Sequence, residues 1–157
     1  MIEALASWRA LGNQGGQTHQ PYFTGLLAEV QGKIGQVNEG LRLLALMDSE
    51  VQRSGERSHE AEFYRLKGVL LLESESAGSD STLIEAERSF QEAMTVSRRQ
   101  SAKSLELRAA MNLSQLWMIQ GKRKQARELL SDVFGWFTEG FDTGDLKRAK
   151  ALLAEMG

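Results

Sequence analysis

Ser114-Gln115-Leu116-Trp117-Met118-Ile119-Gln120-Gly121-Lys122-Arg123-Lys124-Gln125-Ala126-Arg127-Glu128-Leu129-Leu130 holds two amphipathic segments on either side of one glycine. Leu113, Leu116, Trp117 and Ile119 recur at helical spacing up to Gly121, and Ala126 is followed four positions later by Leu130. The same small-then-large pair occurs upstream as Gly40 with Leu44 and as Ala86 with Phe90, so the small residues lie 46 and 40 residues apart. A small residue lets two helices touch, and a large one on the next turn fills the space beside the contact. Shifting the chain by 46 residues also sets Arg53 on Arg99, Arg57 on Lys103, Ser58 on Ser104 and Glu60 on Glu106. Shifting it by 40 sets Gly15 on Gly55 and Ala28 on Gly68. The chain is an internal repeat.

Outward from that stretch the periodicity is helical throughout. Leu66, Val69, Leu70 and Leu72 recur at spacings of three and four, and so do Leu83, Ala86, Phe90 and Ala93, while no window alternates as a strand would. Punctuation predicts about eight helices, at 1–11, 21–33, 36–53, 58–73, 82–99, 103–120, 122–137 and 142–155. Pro21 suits a first turn, where no N–H donor is needed. Gly12 and the polar run Asn13 to Gln20 separate the first two helices. Asp142, three residues before Asp145, resembles a capping arrangement for the last. Glu73-Ser74-Glu75-Ser76-Ala77-Gly78-Ser79-Asp80-Ser81 has nothing large and apolar to bury and reads as a mobile loop.

Composition excludes several classes. The 157 residues suffice for one domain of ordinary size. With 19 Lys+Arg against 21 Asp+Glu the chain is not built as a polyanion binder. It has no cysteine, hence no disulfide scaffold and no thiolate chemistry. Purely apolar runs such as Val69 to Leu72 are far too short to span a membrane, and the N-terminus has no basic region of a signal peptide. The expected location is the cytoplasm. Met1-Ile2-Glu3-Ala4-Leu5 reads like the middle of a helix, so the chain is expected to be a piece of a longer protein.

The pattern resembles the tetratricopeptide repeat, which has a small residue in the first helix, an aromatic three positions on, a turn glycine and Ala-x-x-x-Phe in the second helix. One pair fits as Ser114, Trp117, Gly121, Ala126 and Leu130. Another fits as Tyr64, Gly68, Leu71, Ala86, Phe90 and Ala93, with a six-residue insertion at the acidic loop. The first fits as Leu27, Ala28, Gly35, Gly40 and Leu44. The period of 40 to 46 departs from the usual 34, and the closing proline is missing. The resemblance implies an all-α fold: a right-handed superhelical stack of antiparallel helix pairs at about 21–54, 58–99 and 103–138, closed by a cap at 142–156.

A narrower resemblance covers nearly the whole chain. Leu105-Glu106-Leu107-Arg108-Ala109-Ala110-Met111-Asn112-Leu113-Ser114, Gly121-Lys122-Arg123, Ala126-Arg127-Glu128-Leu129-Leu130 and Gly135-Trp136-Phe137-Thr138-Glu139-Gly140-Phe141-Asp142-Thr143 carry it. Glu60-Ala61-Glu62-Phe63-Tyr64-Arg65-Leu66-Lys67-Gly68 and Tyr22-Phe23 also fit. It is similar to the C-terminal repeat region of large bacterial signalling proteins that fuse a class III nucleotide cyclase, a predicted ATPase and tetratricopeptide repeats. That implies a non-catalytic interaction or regulatory module. Its partner would be a protein or peptide, the upstream domains of the same polypeptide, or a second copy. The alternative is a small-molecule sensor that regulates an attached ATPase or cyclase.

Motifs for chemistry are few. Gly25 to Gly32-Lys33-Ile34 has the wrong spacing for a phosphate loop and lacks its hydroxyl. Glu56-x-x-His59 is one arm of a di-iron site without the second, and His19 has no acidic neighbour. No catalytic residue, cofactor or metal is expected. Arg98 to Arg127 holds eight basic residues against one acidic, but Trp117 is its one aromatic residue and no series of them interleaves to stack on bases, so contact with a protein surface is favoured over nucleic acid. In the resembling repeats the first helix of each pair lines the concave side. Counting from Ala28, Gly68 and Ser114, the partner-groove candidates are Tyr22, Glu29, Glu62, Arg65, Arg108, Met111, Asn112 and Gln115. Arg65, Arg108 and Asn112 would form a strip able to take a carboxylate, or would pair with Glu62 or Glu106 and bind nothing. Trp8, Trp117 and Trp136 are read as core. Phe134, Trp136, Phe137 and Phe141 would seat the last helix or, if exposed, meet a partner.

Overall fold

The computed structural model describes residues 20–54 and 57–157, and the side chains of all of these but residues 20–22, 50 and 52–54. The expected helix at 1–11, the polar run after it, Trp8, His19, Gly55 and Glu56 lie outside the described residues. Seven helices fill the rest: α1 Gln20–Lys33, α2 Val37–Ser54, α3 Glu60–Glu73, α4 Asp80–Arg99, α5 Lys103–Ile119, α6 Arg123–Phe134 and α7 Gly144–Glu155. Among the described residues there is no strand.

Connections are short, so each helix folds back along its predecessor. Every helix packs on the next one in sequence, and the odd-numbered helices also touch in series, α1 on α3, α3 on α5 and α5 on α7. The even-numbered helices make no comparable contact with one another. The result is two layers, odd and even.

Small residues hold the layers together. Ala28 on α1 and Gly40 on α2 stand twelve residues apart, and so do Ser114 on α5 and Ala126 on α6. A Cβ on Gly40 would lie 3.0 Å from the Ala28 carbonyl oxygen. The Ser114 hydroxyl donates to the Ala126 carbonyl at 3.0 Å. Gly35 and Gly121 each stand seven residues after the first small residue, with φ of 79° and 77°, a conformation that costs glycine little and lets the chain turn sharply into the next helix. In the middle pair Gly68 and Ala86 stand eighteen apart, because the connection between α3 and α4 is six residues rather than three and α4 starts six residues before its small residue rather than three. There Gly68 faces the Phe90 ring so closely that a Cβ would lie 2.5 Å from it.

The apolar interior forms two clusters. Ala28, Leu43, Leu44, Met47, Phe63, Leu66 and Leu70 make the first, between α1, α2 and α3. The larger one runs from Ala86 and Phe90 through Leu107, Leu113 and Leu130 to Leu152 and Met156. Tyr64 packs against both, edge-on to Phe63 at 5.1 Å between ring centroids. Burial comes first, and then the carboxylates of Asp48, Glu60 and Glu92, in raising the Tyr64 phenol above its usual pKa.

Two glutamates 46 residues apart sit buried in equivalent first turns. Glu60 receives the Arg99 guanidinium at 2.7 Å and Arg57 at 3.9 Å. Glu106 receives Arg98 at 2.6 Å and Lys103 at 2.9 Å. Each carboxylate therefore ties the end of α4 to the start of a neighbouring odd helix.

Three local expectations are corrected. The loop expected over 73–81 is shorter, a series of turns over 74–79 laced by hydroxyls. Ser74 donates to the Leu71 carbonyl at 2.7 Å, and Ser79 accepts from the Thr82 amide, which starts α4 at Asp80 rather than 82. The helix expected to 137 stops at Phe134, where bonds from Trp136 and Phe137 back three residues make a tight turn. The last helix is preceded by Thr143, not Asp142, and Thr143 makes no side-chain cap bond. Asp145 is drawn instead into ion pairs with Arg108 and Arg148.

Gly68→Ala overpacks the contact with Phe90 and is expected to cost about 1–3 kcal/mol, read as a lower urea midpoint at unchanged slope. Adding Phe90→Leu should return part of that loss, and strict additivity of the two changes would contradict the contact.

Candidate functional site

The odd-numbered helices place their side chains along one trough. A cleft of about 370 Å³ at its centre is lined by Glu29 of α1, Glu62 and Arg65 of α3, Arg108, Met111, Asn112 and Gln115 of α5, and Arg148 and Leu152 of α7. Seven of the eight groove candidates thus meet in one cleft. The eighth, Tyr22, lies in the first turn of α1 and its side chain is outside the described residues. Arg148 and Leu152 were not anticipated. Their spacing of four on the last helix matches that of Arg108 and Asn112, the one sequence signal that the cap also faces the trough.

The cations are already engaged. Arg65, with a side chain only 15% exposed, donates Nε to Glu62 Oε2 at 2.9 Å and Nη2 to Oε1 at 2.7 Å. Its Nη1 donates to Asn112 Oδ1 at 3.2 Å. Burial opposes its charge, but the fork on Glu62, with Glu29 and Asp145 near, outweighs burial and raises its pKa above the usual guanidinium value. Arg108 pairs not with Glu106 but with Asp145, Nε to Oδ2 at 2.6 Å, and Arg148 holds the other oxygen of Asp145. Among the described residues the terminal nitrogens of Arg108 and the Asn112 amide nitrogen have no protein partner. Both therefore remain as donors, four residues apart on α5.

Two further clefts join the first. One, about 270 Å³, is mainly apolar and lies at the N-terminal ends of α3 and α5. It includes Met47, Phe63, Leu66 and Leu105 and shares Glu29, Glu62 and Arg108 with the central cleft. The other, about 440 Å³, includes Val69, Leu72, Leu116 and Met118 and shares Asn112, Gln115 and Leu152. The trough is polar at its middle and apolar toward both ends.

The aromatic cluster is separate and divided. Phe134 and Phe137 pack on the larger core, while Trp136 and Phe141 are 58% and 49% exposed. Trp136 meets Phe137 edge-on at 5.5 Å and carries the Lys103 ammonium 5.2 Å from its ring centroid. It is not a core residue. Trp117 is half-buried, and its indole N–H donates to Glu87 at 2.9 Å.

Seven of the eight cations between Arg98 and Arg127 make at least one polar contact inside the chain. Arg98, Arg99, Lys103 and Arg108 hold the carboxylates named above, Lys122 holds Glu87, Lys124 holds Glu128, and Arg123 donates to the carbonyls of Glu155 and Met156. Among the described residues no three His, Cys, Asp or Glu come together as metal ligands would. Compared with known proteins, the chain matches no protein-family model and no curated protein.

Burial works to raise the pKa of both Glu106 and Asp145, but the hydrogen bonds from Arg98 and Lys103, and from Arg108 and Arg148, outweigh it and hold both carboxyls below the usual range. A lowered folded-state pKa contributes stability above the unfolded value of about 4, and that stability is lost as pH falls through the folded value. Glu106→Gln is expected to cost roughly 1–2 kcal/mol at pH 7 and much less at pH 3. Urea midpoints at the two pH values check it, and an equal loss at both would contradict the ion pairs.

Proposed function

We propose that the chain is a tetratricopeptide-like repeat domain, a right-handed superhelical stack of the pairs α1–α2, α3–α4 and α5–α6 capped by α7, and that it binds a segment of a protein partner without catalysing a reaction. The serial contact of the odd helices and the repeated small-residue register support this arrangement. The sequence resemblance supports its setting as a regulatory module in the cytoplasm, attached to a bacterial cyclase–ATPase signalling protein or acting on one.

The observation that carries the binding reading is the continuous trough. Three clefts that share residues run along one layer of helices, polar between apolar ends. An extended or helical segment with a central acidic side chain suits that order. Its apolar residues would enter the end clefts and its carboxylate would meet the terminal nitrogens of Arg108 and the Asn112 amide. Arg65 is a positioning residue, since Glu62 and Asn112 already consume its fork. A small-molecule sensor is the second reading, and the polar lining and volume of the central cleft favour it.

Selection of random displayed peptides against the whole chain tests both. Selected peptides are expected to contain an acidic residue between apolar ones, and Arg108→Ala with Asn112→Ala is expected to raise their Kd at least tenfold with unchanged far-UV circular dichroism. Binders whose amide chemical-shift changes centre on Trp136 and Phe141 would move the site there. A yield of anionic small molecules but no peptides in parallel screening would favour the sensor. The purified chain is also expected to hydrolyse no ATP and form no cyclic nucleotide, and turnover that copurifies with it through successive columns would refute a non-catalytic role.

A further inference from the structure

Four glutamates line the trough, and their partners divide them. Glu29 holds Lys33 at 2.8 Å and Glu62 holds Arg65 at 2.7 Å. Glu73 and Glu155 line the cleft of about 440 Å³, are exposed, and among the described residues have no cation or donor on their carboxylates. Each is the last residue of its helix, α3 and α7, and those helices stand on either side of α5. No lysine, arginine or histidine lines this cleft, whereas Arg65, Arg108 and Arg148 line the central one.

Two further features mark that end of the trough. α3, α5 and α7 all finish there, and none has a basic residue in its last turn to offset the partial negative charge of the terminal carbonyls. By contrast α1 ends with Lys33 and α4 with Arg98 and Arg99. The wall between the two glutamates is apolar, with Leu72, Leu116 and Ile119, and Ile119 is 82% exposed. Open hydrocarbon rimmed by unanswered carboxylates fits a flexible aliphatic stem that ends in a cation.

Helix geometry sets the spacing. Glu73 lies eight residues beyond Arg65, and Glu155 seven beyond Arg148. At about 1.5 Å per residue the two carboxylates stand roughly 10–12 Å along the helices from the central arginines. Resting on the reading of the trough as a peptide site, we infer that the partner segment carries a lysine or arginine at that distance from its acidic residue. The acidic side chain meets Arg108 and Asn112. The cation reaches between Glu73 and Glu155, with its stem on Leu72, Leu116 and Ile119. In an extended segment, at about 3.3 Å per residue, the two charges stand about three or four positions apart, and in a helical one about seven. A second acidic residue in place of the cation would be repelled, so the two glutamates also select against segments of uniform negative charge.

Selection of displayed peptides on the whole chain gives the first readout. Selected sequences are expected to place a lysine or arginine at that offset from the acidic residue. Selection on Glu73→Lys with Glu155→Lys is expected to place aspartate or glutamate there instead. Both residues are exposed and without partners, so these substitutions leave the fold intact, which far-UV circular dichroism checks. In synthetic copies of the wild-type binders, replacing the basic residue by alanine is expected to raise Kd about fivefold, and the same replacement to have almost no effect on Glu73→Gln with Glu155→Gln. A full loss on that variant too would place the cation elsewhere and overturn the inference. So would peptides that weaken on Arg108→Ala with Asn112→Ala yet ignore Glu73→Gln with Glu155→Gln, a result that leaves the trough itself standing as the site. Peptides indifferent to both pairs of substitutions would refute the trough reading and the inference together.

Discussion

Everything in this molecule depends on two backbones being allowed to touch. Where Ala28 meets Gly40 and Ser114 meets Ala126 the helices of a pair approach to the limit set by side chains of almost no size. That approach fixes the rotation of each odd helix against its partner. It therefore also fixes which residues face the next odd helix and which face the trough. Glu29, Arg65 and Asn112 line the trough because Ala28, Gly68 and Ser114 are turned toward the even layer. The larger residue four positions on, Leu44, Phe90 or Leu130, then closes the space beside the contact and is buried almost completely in each case.

Much of this is legible in the residues. Helical periodicity is a property of the local chain, and the bounds of α2, α3 and α5 fall within two residues of where the pattern puts them. The small residues carry their own register, so the residues one turn away from them could be assigned to a shared surface before any coordinates were considered. What is not legible is who pairs with whom across the stack. Nothing local in Arg108 points to Asp145, which lies 37 residues on, since that contact exists only once α5 and α7 have been rotated against each other. The same holds for Arg148 and Leu152, which join the trough from a helix that the pattern assigns simply to capping. Hydroxyl networks are hidden for a different reason. Ser74, Ser76, Ser79 and Thr82 look like a solvated linker in composition, and only their mutual bonds make a braced turn of it.

The ion pairs give the trough a particular character. Arg65 is locked by partners on its own and the neighbouring helix, so it fixes the floor rather than waiting for a ligand. Arg108 is shared: Asp145 takes one edge of the guanidinium and leaves the other open to solvent. A ligand that reaches that open edge touches a group which also fastens α7. Occupation of the trough and the seating of the last helix are thereby linked through one side chain.

Tyr64 stands where the two apolar clusters meet, and it gives the stack a mechanical grain. The first cluster gathers seven buried residues and the second seventeen among those described. A pull on the N-terminal end loads the smaller one first, and the load passes onward through α3, which carries Tyr64, Gly68 and the bond from Arg65 to α5. The chain should therefore yield in two steps when stretched, with α1 and α2 peeling away while α3 to α7 hold. A force–extension trace with a single rupture would show instead that the two clusters act as one. Attached to a larger machine, such a stack would behave as a graded spring with its soft end forward.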